Sequence, residues 1–248
     1  MLRVEGVTVR FGGLTALRDV SFSMNPGEVL GLVGPNGAGK TTLFNAISGL
    51  VRPRGRILFG TQDITRLPLH RRARIGLGRT FQIPQPMHHL TVRENLVVAQ
   101  VFGAGRRDEG RLDEILDVME LTDQAGREAA GGLALQELKR LEVAKALAIE
   151  PKLLLLDEVL AGLEVQAKRQ FMLKLKELHR RFGLGIVIVE HDIETISNLC
   201  SRAIVLNFGQ LIADGTPAEV FRDPAVVESY TGAAPASGAP EAPGAAHA

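Results

Sequence analysis

The run Gly34-Pro35-Asn36-Gly37-Ala38-Gly39-Lys40-Thr41-Thr42 combines three glycines, a lysine and two hydroxyls at the spacing glycine, four residues, Gly-Lys-Thr. A nucleoside triphosphate carries several negative charges. A loop of small residues lets successive backbone N–H groups turn inward toward such an anion, and the helix that follows offers its positive end. Gly34, Gly37 and Gly39 permit the curvature, with Asn36 and Ala38 between them. Lys40 is placed to reach the β and γ phosphates as a point charge. The Thr41 hydroxyl is placed to ligate Mg²⁺, and Thr42 adds a further donor.

A second chemical pair lies far downstream. Leu153-Leu154-Leu155-Leu156 ends in Asp157-Glu158, and two adjacent carboxylates at the end of a fully apolar strand have no packing role. Beside a phosphate loop they are placed to hold Mg²⁺ through water (Asp157) and to face the attacking water (Glu158). A third apolar run, Gly185-Ile186-Val187-Ile188-Val189-Glu190, delivers His191 and Asp192 at its end. Ligands in open α/β sheets collect at the carboxyl ends of strands, which favours a working His191 over a core histidine.

The surrounding elements must bring these groups together. Val29–Val33 reads as the buried strand that feeds the loop, and Leu43, Phe44, Ile47 and Leu50 recur at helical spacing after it, with Gly49 at the stop. Alternation predicts earlier strands through Leu2, Val4, Val7 and Val9 and through Val20, Phe22 and Met24, then a turn at Asn25-Pro26-Gly27 and a strand in Gly55–Gly60. Phe11 sits beside Gly12-Gly13 and either stacks on a purine or fills a core. His70–Arg74 reads as the solvated face of a short helix.

Pro84 and Pro86 stop regular structure, and from Thr91 the pattern turns helical. Thr91-Val-Arg-Glu94 fits a capping box. Leu112, Ile115, Leu116 and Met119 form one helical stripe, and Glu137–Ile149, ended by Pro151, forms another helix. A charged amphipathic helix spans Gln166–Phe182, two strands flank Gly209, and a helix starts at Thr216-Pro217.

Composition bounds the function. A chain of 248 residues buries a sizeable core. A net charge of +1 and 4% aromatics argue against a nucleic-acid partner. The single cysteine, Cys200, excludes an internal disulfide framework and reads as a small core residue. Met1-Leu-Arg-Val-Glu lacks the apolar run of a signal peptide, and no segment approaches the roughly 20 apolar residues that span a bilayer. Residues 233–248 are Ala, Pro and Gly with almost no core anchor, and read as a disordered tail.

The ordered set resembles the nucleotide-binding domain of ABC transporters over about 230 residues. More narrowly, Gly78-Arg-Thr-Phe-Gln82, Leu90–Leu96, Asp214–Glu219 and Asp223–Tyr230 are similar to segments of the ATPase subunits of branched-chain amino acid importers. The resemblance implies an α/β fold: a P-loop NTPase (RecA-like) core with an antiparallel β subdomain and an inserted α-helical subdomain. Residues 1–232 would form it, 1–86 and 151–232 as core with β subdomain and 87–150 as the helical part.

It also implies roles and partners. Two such domains sandwich ATP and Mg²⁺ head to tail, each lending the other a signature loop. Phe11 would stack on adenine, Gln82 would touch the metal and sense the γ phosphate, Asp157 would hold Mg²⁺, Glu158 would polarise water and His191 would contact the γ phosphate. Transmembrane permease subunits, served indirectly by a periplasmic or extracellular solute-binding protein, would place the chain peripherally on the cytoplasmic face of the membrane. The segment from Gln82 to Gln100 would dock on the permease.

The signature departs from the family pattern. Leu-Ser-Gly-Gly-Gln, or Leu-Ser-Tyr-Gly-Gln, appears as Leu133-Ala134-Leu135-Gln136-Glu137, without the serine donor, with Gln136 for a glycine and with the negative charge of Glu137 near a triphosphate. Val159 replaces the usual proline, and Glu164 the usual asparagine. The departures face the partner while this chain's own phosphate loop is intact, so a heterodimer with unequal sites is expected. The alternatives are a nucleotide-dependent clamp with little turnover, and a soluble ATPase acting on nucleic acid, a class that usually carries paired domains or a long coiled coil.

Overall fold

The computed structural model describes residues 1–231; the tail read at 233–248 lies outside them. The chain opens with long antiparallel strands β1 (Leu2–Phe11) and β2 (Leu14–Met24). β4 (Arg54–Phe59) and the short β5 (Gln62–Asp63) complete a four-stranded antiparallel sheet in the order β2-β1-β4-β5.

The second sheet has six strands in the order β10-β9-β3-β8-β7-β6. β3 (Val29–Val33) lies between β8 (Gly185–Val189) and β9 (Arg202–Asn207), parallel to both. β7 (Leu153–Asp157) and β6 (Leu77–Arg79) continue the parallel set, and β10 (Gln210–Gly215) closes the other edge antiparallel. β6 is missing from the sequence reading. Three residues carry no periodicity, and this strand exists because Leu77 to Arg79 pair with Leu153 to Leu155.

Strand alternation divides the apolar runs between two cores. Leu153, Leu155, Val187 and Val189 pack with the antiparallel sheet and helix α1 (Lys40–Ser48), whereas Leu154, Leu156, Ile186 and Ile188 pack with the helices on the other face. A strand buried on both sides has no polar face to show, which is why the leucine run is continuous.

After α2 (Leu69–Arg74) and β6, the chain runs through α3 (Val92–Gly103), α4 (Glu109–Val118) and α5 (Leu135–Ala148) before returning as β7. The Thr91 capping box is formed, with Thr91 Oγ1 accepting from Glu94 N–H and Glu94 accepting from Thr91 N–H. Helices α6 (Val165–Phe182), α7 (Ile193–Leu199), α8 (Pro217–Val220) and α9 (Pro224–Thr231) complete the fold. Among the described residues no helix is long and apolar enough to cross a membrane. Cys200 is buried, as read.

The basic run at 70–74 is not simply a solvated face. Arg72 is 1% exposed. Its guanidinium donates to the Ala46 and Ile47 carbonyls at 2.7 and 2.6 Å and to the carbonyls of Leu67 and Thr65. The last carbonyls of a helix lack intrahelical partners, and here a buried cation supplies them for α1.

Candidate functional site

The loop between β3 and α1 is shaped by backbone that only glycine adopts comfortably. At Gly34, φ is 147° and a Cβ would stand 2.1 Å from the Leu206 carbonyl oxygen; at Gly39, φ is 106° and a Cβ would stand 2.8 Å from the Ala16 carbonyl oxygen. Gly39 caps α1 without a side-chain hydrogen bond, and no acidic residue occupies the first turn. The helix thus presents unneutralised N–H groups beside Lys40, Thr41 and Thr42.

Lys40 is buried and donates to the Gly34 and Pro35 carbonyls at 2.6 and 2.9 Å, spanning its own loop. Burial lowers its pKa, opposed by the charges of Glu158 and Asp157. The ammonium therefore already lies in the field of both candidate carboxylates.

Those carboxylates have different surroundings. Asp157 is 2% exposed and accepts from Arg79 Nη2 at 3.4 Å. Burial pushes its pKa up; Arg79 and Lys40 oppose the shift and Glu158 adds to it. Arg79 is itself fixed by Asn45 Oδ1 and Ser48 Oγ on α1, at 2.7 and 2.6 Å. Glu158 projects past the end of β7, where one oxygen accepts from Gln82 Nε2 at 2.8 Å and the other lies 2.7 Å from His191 Nε2. Two residues from separate stretches of chain thus converge on the Glu158 carboxylate. His191 is exposed, so the core alternative for it fails. Asp192 caps α7 and pairs with Lys168, away from this cluster.

A cavity of about 600 Å³ joins these parts. The phosphate loop, Gln82 and Glu158 line it together with Phe11, Leu14 and Phe208. Phe11 ends β1 opposite Leu14 and is 51% exposed, so it is not a core residue. Phe208 is 87% exposed with φ of 44°, and the next residue donates from Gly209 N–H to the Ala38 carbonyl at 2.9 Å. The sequence reading missed Phe208 and Arg79. An aromatic before glycine in a strand turn was the signal for the first; an arginine ending a strand beside Thr80 carried none for the second. A cleft of about 610 Å³ lined by Phe59, Arg74, Glu150 and Lys152 holds none of these groups.

The signature segment is elsewhere on the surface, at the start of α5. Ala134, Leu135 and Gln136 are exposed, and Leu133 is half-buried. Glu137 is tied back to its own helix start and to Gln124. Its carboxylate turns back to accept from Ala134 N–H at 2.7 Å and from Gln124 Nε2 at 3.0 Å. Ala134 has no oxygen with which to return the contact, so only half of a capping box forms.

A glycine loop feeding a helix, a cation across it and carboxylates at neighbouring strand ends define a P-loop nucleoside-triphosphate-binding protein. The family profile described as ABC transporter matches residues 17–161, and one described as branched-chain amino acid ATP-binding cassette transporter matches residues 210–236. The high-affinity branched-chain amino acid transport ATP-binding protein BraF of Pseudomonas aeruginosa is 35% identical over 252 residues, covering 94% of this chain and 98% of that relative. The lipopolysaccharide export system ATP-binding protein LptB of Acidithiobacillus ferridurans is 37% identical over 239 residues, covering 94% and 97%. The ADP conformation of MJ1267, an ATP-binding cassette of an ABC transporter, superposes with a TM-score of 0.85 at 33% identity, covering 94% of this chain and 99% of that one.

The chain belongs to the ABC transporter ATP-binding family. Its fold is the P-loop core with an antiparallel β subdomain and an inserted helical subdomain, and it is the ATP-binding subunit of a transporter.

Proposed function

We propose that this chain hydrolyses Mg·ATP to power a membrane importer for branched-chain or related amino acids, in a heterodimer whose two sites are unequal. The convergence of Gln82 and His191 on Glu158 beside an intact phosphate loop carries the hydrolytic half of the reading. The relatives span a lipopolysaccharide exporter component as well as an amino acid importer component. The match at 210–236 favours the importer. Residues 1–86 and 151–232 form the core with β subdomain in this reading, and 87–150 the helical part.

Backbone N–H groups of Gly37, Ala38 and Gly39, with Lys40 and Thr42, hold the phosphates, and Phe11 packs on the adenine. Thr41, Gln82 and Asp157 supply hard oxygen donors, the set that suits Mg²⁺. That ion, when bound, offsets charge on the β and γ oxygens. Glu158 then orients the attacking water and accepts its hydrogen bond, while His191 turns from Glu158 to the γ phosphate. Catalysis here is positioning and electrostatics, with no covalent intermediate.

Inequality rests on the exposed start of α5, where Ala134 offers no hydroxyl and Gln136 stands where the family has a glycine. This chain's ATP would be turned over against a partner's intact signature. The partner's ATP would meet Ala134 to Glu137 and be held with little turnover. Transmembrane permease subunits, served from the other side by a periplasmic or extracellular solute-binding protein, would hold this chain at the cytoplasmic face of the membrane. A regulatory clamp is the second reading, favoured by the same signature.

Steady-state phosphate release separates the readings. The chain alone is expected to bind Mg·ATP without turnover, and to hydrolyse it once mixed with a partner ATPase. Turnover of the mixture should disappear with Glu158→Gln in this chain. Turnover indifferent to that substitution would defeat the hydrolytic reading, and turnover by the chain alone would defeat inequality.

A further inference from the structure

The backbone of Glu158 is held as deliberately as its carboxylate. Lys139, on the second turn of α5, is 5% exposed, and its ammonium donates to the Glu158 carbonyl oxygen at 2.9 Å. That oxygen also accepts from Ala161 N–H at 3.1 Å, closing a turn. Glu158 has φ of 49°, a left-handed conformation that is strained for a residue with a Cβ and persists only where surroundings impose it.

The sequence Glu158-Val159-Leu160-Ala161 contains none of the usual turn formers. Side chains from two other elements impose the turn. From the end of β8, Glu190, 4% exposed, accepts from Leu160 N–H at 2.9 Å. From α5, Lys139 holds the Glu158 carbonyl two residues earlier. The charges that face this buried ammonium are those of Glu190 and Glu158. Val159 and Leu160, both 2% exposed, fasten the turn into the core beneath.

We propose that Lys139 is a positioning residue: its bond to the Glu158 carbonyl fixes the left-handed backbone that aims the Glu158 carboxylate, and so ties that aim to the orientation of α5. The proposal rests on the role given above to Glu158. Helix α5 begins at the segment expected to meet a partner's nucleotide, so one end of the helix answers to the partner's site and its second turn holds this chain's own. Gln82 and His191 touch the carboxylate but leave its backbone free. Lys139 does the reverse.

Amide hydrogen exchange on the full-length, nucleotide-free chain tests this without needing turnover. Lys139→Met keeps the stem and removes the donor. Exchange at Leu160 and Ala161 is expected to rise about tenfold or more, as for a local opening made easier, while the amides of β7 and the last two turns of α5 keep their protection. Lys139→Arg, which restores a donor, should return the wild-type rates. Unchanged exchange at 160–161 in Lys139→Met would overturn the proposal, as would equal loss of protection throughout α5, the mark of a merely structural lysine.

If Lys139→Met does not fold, the pair Lys139→Met with Glu190→Gln removes both buried charges, keeps an acceptor for Leu160 and reads the same amides. In a preparation that turns over ATP, Lys139→Met should lower kcat about tenfold or more with Mg·ATP affinity unchanged; weaker affinity with kcat intact would contradict it. Should Glu158→Gln leave turnover untouched, the catalytic role fails while the exchange result still reports on the tether.

Discussion

Glu158 and His191 meet at 2.7 Å across the carboxyl ends of neighbouring strands β7 and β8. With Gln82 on the other oxygen, both carboxylate oxygens of Glu158 have protein partners. In the mechanism proposed above, Glu158 exchanges these protein partners for a water and His191 turns to the γ phosphate.

Glu158→Gln keeps the shape of this cluster and removes its basicity. In a dimer that hydrolyses ATP, kcat is expected to fall by about 100-fold or more, the usual scale for a general base, with Mg·ATP affinity retained. Stopped-flow phosphate release and equilibrium binding measure the two sides. A variant that lost binding and turnover in proportion would place Glu158 in the binding of nucleotide rather than its cleavage.

Phe11 and Phe208 line the same cavity and are both exposed. An aromatic that packs on the base should distinguish ATP from a bare phosphate chain. Phe11→Ala is expected to weaken ATP binding by about 5-fold to 150-fold, from about 1–3 kcal/mol of stacking, and to leave inorganic tripolyphosphate binding unchanged. Phe208→Ala should behave likewise if it faces the base. Titration calorimetry with both ligands decides it; equal weakening of the two would assign the effect to the loop.

Arg72→Met removes the donor that satisfies the carbonyl end of α1. The stem is replaced but four acceptors lose a partner, and stability should drop by about 2–4 kcal/mol. Urea denaturation measures it. A loss near that of an exposed arginine, under about 0.5 kcal/mol, would show that water enters in its place.

Burial pushes the Glu190 carboxyl up to about 7. Its unfolded value lies near 4.5, so between the two the folded chain binds the extra proton. Folding linked to this group is therefore strongest below about pH 4.5 and weakens as pH rises to 7, beyond which the loss is complete. Glu190→Gln lacks that loss. The stability difference, variant minus wild type, should shift in the variant's favour by about 1–3 kcal/mol from pH 5 to pH 8. Chemical denaturation at both pH values gives the difference, and a flat profile would show that Glu190 stays ionised beside Lys139 and Lys168.

The candidate site was legible where chemistry and local pattern coincide. The glycine loop, Asp157-Glu158 and His191 each follow a buried apolar strand, and parallel pairing of β3, β8 and β7 brings their carboxyl ends together. The groups that hold them in place were not legible, because each acts across a long stretch of chain. Arg72 reads as part of a basic surface run until the ends of α1 are known. Arg79 becomes meaningful only beside Asn45, Ser48 and Asp157. Lys139 is one cation of an amphipathic helix by pattern, and its carbonyl partner lies on another element. Glu137 has a related limit: sequence shows that a charge is present, not that its carboxylate folds back onto its own helix.

The placement of β3 at the centre of the parallel sheet has a consequence for synthesis. Val29 to Leu32 are flanked by strands that begin only at Gly185 and Arg202. At 5–20 residues per second the ribosome needs about 8–30 s to pass from the end of β3 to the start of β8. For that interval the phosphate loop hangs from a strand with two bare hydrogen-bonding edges. The nascent chain must shelter this strand, by collapse onto β1 and β2 or in the hands of a chaperone, well before it can hold a nucleotide.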